Sequence, residues 1–128
     1  MADSGPVQTA LAFVRAINRH DVSLLMSLAS DDHRLVDALG QVASGRESLE
    51  NAWSGYFDLF PDYHVSIDNA LGKGNIVGLF GTASGSFHRR NWAIPGAWKA
   101  VVRGAKVAQW RVYADNEPVW KLMGVRRY

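Results

Sequence analysis

Cysteine is absent from the 128 residues, which removes a disulfide framework, a thiol nucleophile and a Cys-ligated zinc or iron–sulfur centre together. No apolar run approaches the ~18 residues of a membrane-spanning helix. Met1 to Pro6 has neither the basic start nor the apolar stretch of a secretory signal, so a cytoplasmic chain away from membranes is expected. Excess charge is scarce too. Fourteen Lys and Arg against twelve Asp and Glu leave a net +2, and only Arg89-Arg90 and Arg126-Arg127 are adjacent, so nucleic acid is not an expected partner. The histidines at 20, 33, 64 and 88 never fall in an HxH or HExxH spacing, and no metal is expected. Gly72-Lys73-Gly74 lacks the third glycine and following helix of a dinucleotide fingerprint, and no cofactor is expected. Ser84 lacks the glycine two residues before it that a nucleophile elbow requires.

What is present is a chain 48% hydrophobic and rich in tryptophan, with five, enough for one compact domain over residues 1–128. Ser4 and Pro6 open a helix whose Val7, Ala10, Leu11, Val14 and Ile17 recur at helical spacing, and Asp21 caps a shorter one reaching Ala29. His33 to Ala38 reads as a short strand and Gly40 to Gly45 as a loop. Ser44-Gly45-Arg46-Glu47 reads as a capping box opening a third helix, whose Leu49, Trp53, Tyr56, Phe57 and Phe60 share one face until Pro61 stops it. From Tyr63 the period changes to two. Strands follow before and after the turn Gly72 to Asn75, the second running from Ile76 to His88 with glycines that signal bends. Arg89 to Gly96 reads as a polar connection, its Trp92 either a lid or a packed loop residue, and Gly104-Ala105 as a type II′ turn joining Ala97–Arg103 to Lys106–Ala114.

The expected class is α+β, with three N-terminal helices packed in the concave face of a strongly curved antiparallel sheet. Trp98, Ala100, Trp110 and Val112 face the helices. The opposite face keeps Val101 and Tyr113 among its charges and is an expected homodimer contact. Asp37, in the apolar run Leu35-Val36-Asp37-Ala38-Leu39, sets a carboxylate against a low-dielectric wall if it points inward, the setting of a general base. The alternative reading has it ending the strand and bonding the backbone of the Gly40 turn. His33 shares its strand face, and Asp115 ends the last strand. Phe13, Trp53, Tyr56, Phe57, Trp98 and Trp110 supply walls for a flat apolar ligand.

In their order and spacing, five segments resemble the nuclear transport factor 2-like superfamily, and within it the SnoaL-like polyketide cyclases and ketosteroid isomerases. These are Ala16 to Asp21, Leu28 to Gly40, Ser44 to Glu47, Phe60-Pro61-Asp62 and Lys106 to Trp110. The resemblance covers nearly the whole chain and implies a cystatin-like cone, an α+β barrel, usually homodimeric, with an apolar cavity between helices and sheet. It also implies that Asp37 coincides with the aspartate that ketosteroid isomerases use as base. Those enzymes pair it with a tyrosine and a protonated aspartate, positions that fall here on Phe13 and on or beside Trp98. Limonene-type epoxide hydrolases carry Trp-Arg-Asp on the last strand, where this chain has Trp110-Arg111-Val112. The resemblance therefore implies a small hydrophobic, cyclic ligand and cofactor-independent isomerisation or cyclisation, with Asp37 as base and His33 or Asp115 assisting. A non-catalytic ligand-binding or dimeric interaction module of the same fold stays open beside it.

Overall fold

The computed structural model describes residues 5–124. Ser4 and the Arg126-Arg127 tail lie outside them. Helix α1 (Gly5–Asn18) begins with Pro6 in its first turn and buries Val7, Ala10, Phe13, Val14 and Ile17. Helix α2 (Val22–Leu28) is capped by Asp21, whose carboxylate accepts from the Leu24 N–H at 2.9 Å. The chain passes directly into strand β1 (Ala29–Val36) and turns back as the short strand β2 (Val42–Ser44). Helix α3 (Arg46–Leu59) follows, then β3 (His64–Lys73), β4 (Ile76–Phe87), β5 (Arg90–Arg103), β6 (Lys106–Tyr113) and a fourth helix, α4 (Glu117–Met123).

The expected α+β class is observed. The six strands form one open sheet in the order β2-β1-β6-β5-β4-β3, antiparallel throughout except that β1 runs parallel to β6. Helix α1 lies across β3, β4, β5 and β6, so its apolar stripe and the inward residues Val77, Leu79, Ala100, Val102 and Trp110 share one core. Bulges at Asp68 in β3 and Ala108 in β6 bend the long strands around that helix. Gly81 is fixed by the first of them: a Cβ there would sit 1.8 Å from the Ser66 carbonyl oxygen.

Four local readings are corrected. The segment Arg89 to Gly96 is the first half of β5, paired residue for residue with β4 through a tight turn in which His88 (φ 50°) and Arg89 (φ 66°) both take left-handed conformations without glycine. Pro95 is tolerated because it lies beyond the last β5–β6 pair, Ala97–Tyr113, where β5 has a neighbour on the β4 side alone. The capping box does not form; the N-cap is Gly45, one residue later, without a side-chain bond. Part of the expected loop 40–45 is β2, and α4 was not anticipated.

Asn18 and His20 fix the start of β3. The Asn18 amide donates to the Val65 carbonyl at 2.9 Å and accepts from the Val65 N–H at 2.8 Å, giving the open edge of β3 the partners a further strand would supply. His20 Nε2 lies 2.8 Å from the Tyr63 carbonyl while its ring stacks on Phe57 at 4.3 Å.

Candidate functional site

Between the inner face of the sheet, α3, α4 and the β1–β2 turn lies a cavity of about 470 Å³. The sheet contributes Leu35, Trp92, Ile94, Trp98, Trp110 and Val112; α3 contributes Ala52, Trp53 and Tyr56; α4 contributes Trp120, and Tyr63 closes the far side. All five tryptophans of the chain line it. Two indoles are held flat by glycines. Trp92 lies across Gly85, where a Cβ would come within 2.8 Å of the ring, and Trp98 folds back over Gly96, where the distance would be 2.7 Å. Each ring thus packs on the strand at a glycine and lines the cavity, with Phe60 and Tyr63 also against Trp92. Trp98 and Trp110 lie nearly parallel, 6.5 Å apart.

Asp37 follows the last residue of β1 and stands at the mouth, half-buried. Its Oδ1 accepts from the Leu39 and Gln41 N–H groups, both at 2.9 Å, and its own N–H donates to the Gln41 carbonyl at 2.9 Å. The carboxylate therefore both organises the β1–β2 turn and borders the cavity, so the two readings drawn from the sequence coexist in one side chain. No Lys, Arg or His lines the cavity among the described residues. The other lining residues with polar side-chain atoms are Gln41, Asn116, Tyr56, Tyr63 and the tryptophans, of which Trp92 Nε1 is buried with no hydrogen-bond partner among the described residues. Burial pushes the Tyr56 hydroxyl up to about 12. Burial, with Tyr56 beside it, pushes Tyr63 up as well. Both remain neutral donors at physiological pH.

The other sequence candidates are placed elsewhere. His33 is 1% exposed and stacks on Phe13 at 5.7 Å behind the wall; its Nδ1–H donates to the Val107 carbonyl at 2.6 Å, and its Nε2 is buried with no hydrogen-bond partner among the described residues. Burial pushes the imidazole below its ordinary value, against the opposing effects of the Val107 bond and the Asp32 charge. Phe13 and Phe57 pack behind Trp53 and do not line the cavity. Asp115 is exposed, borders a separate outer cleft with Pro95, Ala97 and Tyr113, and accepts from the Glu117 N–H at 3.0 Å. Trp92, which the sequence leaves as either a lid over the cavity or a packed loop residue, lines the cavity from β5, whereas Tyr63 and Trp120 were missed. The glycine facing Trp92 was the available signal for its position.

The fold has parallels in known proteins. A search of curated proteins finds no match. Solved structures share the fold across nearly the whole chain. A protein described as a SnoaL-like polyketide cyclase from Jannaschia sp. superposes with a TM-score of 0.85 at 15% identity, covering 99% of both chains. A ketosteroid isomerase-like protein from Catenulispora acidiphila, in complex with trimethylamine, gives 0.83 at 22%, covering 93% of this chain and 94% of that one. TerC, co-crystallised with polyporic acid, gives 0.83 at 16%, covering 94% and 99%. The sequence profile of the SnoaL-like domain matches residues 10–114, from the first turns of α1 to the end of β6 and thus every strand that builds the cavity, and the chain belongs to that family.

Proposed function

We propose that the chain, acting as one SnoaL-like domain, holds a small, hydrophobic, cyclic molecule in this cavity. Asp37 serves as base for a cofactor-independent proton transfer, an isomerisation or an aldol-type cyclisation. The observation that carries the reading is a half-buried carboxylate at the mouth of a cavity walled by indoles. One oxygen is held by two backbone N–H groups, which fixes the carboxylate's orientation toward a guest. Relatives of this fold crystallised with trimethylamine and with polyporic acid support small-molecule binding. His33, sealed behind Phe13, and Asp115, on the outer cleft, are not placed to touch a guest. A thermal-shift screen with polycyclic ketones and polyketide fragments identifies the guest class, and Asp37→Asn then abolishes turnover with the fold intact. An unaltered rate in that variant ends the reading.

The second reading is a non-catalytic ligand-binding or dimeric interaction module. The turn-forming bonds of Asp37 favour it, because they give the residue a structural role without chemistry. In either case we propose a homodimer formed in the cytoplasm through the outer sheet face. There Phe80, Ala97 and Tyr113 stand in register across β4, β5 and β6, and Phe80 is 45% and Tyr113 47% exposed. Sedimentation of wild type and Phe80→Asp tests it. A dimer that becomes monomeric supports the contact, and an unchanged species opposes it.

A further inference from the structure

The charge inventory of the cavity is one-sided. Asp37 is the sole acidic side chain lining it among the described residues and no basic one does, and the rest of the wall presents indole and phenol rings, the Gln41 and Asn116 amides and neutral hydroxyls at Tyr56 and Tyr63. Ring faces carry negative electrostatic potential and attract cations. Trp92 and Trp98 each pack on a glycine and border the cavity, Trp92 with Phe60 and Tyr63 and Trp98 with Trp110 as ring neighbours. An anion entering this space would meet a carboxylate and no positive side chain, with neutral donors alone to offset its desolvation.

We infer that the guest is a cation, a cyclic amine or quaternary ammonium whose positive nitrogen lies against the indole faces with Asp37 as the nearest counter-charge. The inference rests on the cavity being the ligand site and adds the charge of the ligand. It also answers a chemical need of that reading. A base that removes a proton from carbon leaves negative charge on the guest, and the wall offers it neutral donors alone, from the Gln41 and Asn116 amides, the two tyrosines and the indoles. A positive nitrogen beside a carbonyl of the guest offsets the charge of the enolate: the proton passes from the carbon next to that carbonyl to the Asp37 carboxylate and returns from it to the rearranged carbon, with no other co-reactant.

Three probes of one shape test the inference on the intact chain: phenyltrimethylammonium, its neutral isostere tert-butylbenzene, and benzenesulfonate. Binding is followed through the five tryptophan indole N–H signals by NMR. The expected result is that the cation binds about tenfold more tightly than the isostere, in keeping with a desolvated cation–π contact, and that the sulfonate does not bind. In Asp37→Asn, whose amide oxygen can keep the two turn bonds, the gap narrows to about threefold or less. If the isostere binds as tightly as the cation, or the sulfonate binds, the inference is overturned while the ligand-site reading stands. A gap unchanged in Asp37→Asn removes the carboxylate from it. Binding of none of the three overturns both.

Discussion

Gly85 and Trp92 face each other across β4 and β5, and the indole of Trp92 lies so close over Gly85 that any larger residue there would strike the ring. The pair sets one wall of the cavity: the glycine lets the indole lie down on the strand, and the flattened indole leaves the space beyond it open.

Gly85→Ala is therefore expected to push the Trp92 ring inward. Overpacking of this kind costs about 1–3 kcal/mol. Urea unfolding reads the loss, and a shifted Trp92 indole signal shows that the ring has moved. Unchanged stability with an unchanged signal would contradict the packing described.

Gly81→Ala meets backbone in place of a ring. A Cβ at that position would fall 1.8 Å from the Ser66 carbonyl oxygen beside the Asp68 bulge, and main chain cannot swing aside as a side chain does. The expected loss exceeds that of Gly85→Ala, at about 3 kcal/mol or more. The same urea experiment ranks the two, and the reverse order would count against the bulge as the cause.

His33 makes stability depend on pH. Burial holds its imidazole below the ordinary value in the folded chain, whereas unfolded it titrates near about 6.5. Below that pH the unfolded chain binds the extra proton. Stability is therefore full above about 6.5, falls as pH drops toward the depressed folded value, and then levels off for this group. Comparing urea midpoints at pH 7.5 and pH 5, wild type should lose more stability than His33→Phe. Equal losses would show that the histidine is not responsible.

Asp37 separates structure from chemistry through two substitutions. Asp37→Asn can still accept from the Leu39 and Gln41 N–H groups, and its stability should stay within about 0.5 kcal/mol of wild type. Asp37→Ala leaves both amides without the acceptor and should lose about 1 kcal/mol or more. Equal stabilities for the two variants would mean that the carboxylate does not hold the turn.

The first three helices were legible because their apolar spacing and stops are local: the Trp53-Phe57 face and Pro61 define α3, and the Asp21 cap opens α2. The β5–β6 hairpin was legible from Gly104, whose φ of 60° suits the first position of a type II′ turn. The first half of β5 was not, since His88 and Arg89 take positive φ without a turn signal, and Pro95 reads as a strand breaker until the open edge beside it is known. The parallel pairing of β1 with β6 joins residues about 75 apart, and no local pattern encodes it. For the site, the parity of β1 carried Asp37 to the cavity mouth, but periodicity cannot tell a ring that borders a cavity from one packed behind it. Phe13 and Phe57 share helix faces with true core residues, and Trp92 lies on a strand that the sequence concealed.

The central claim is that Asp37 removes a proton from a guest held in the indole-walled cavity. The most direct test is deuterium incorporation from D₂O into the acidic carbon of a ligand identified by thermal shift, followed by NMR with wild type and Asp37→Asn. Rapid incorporation is expected with wild type and none above background with the variant, which still binds the ligand. Equal incorporation by both proteins would contradict it.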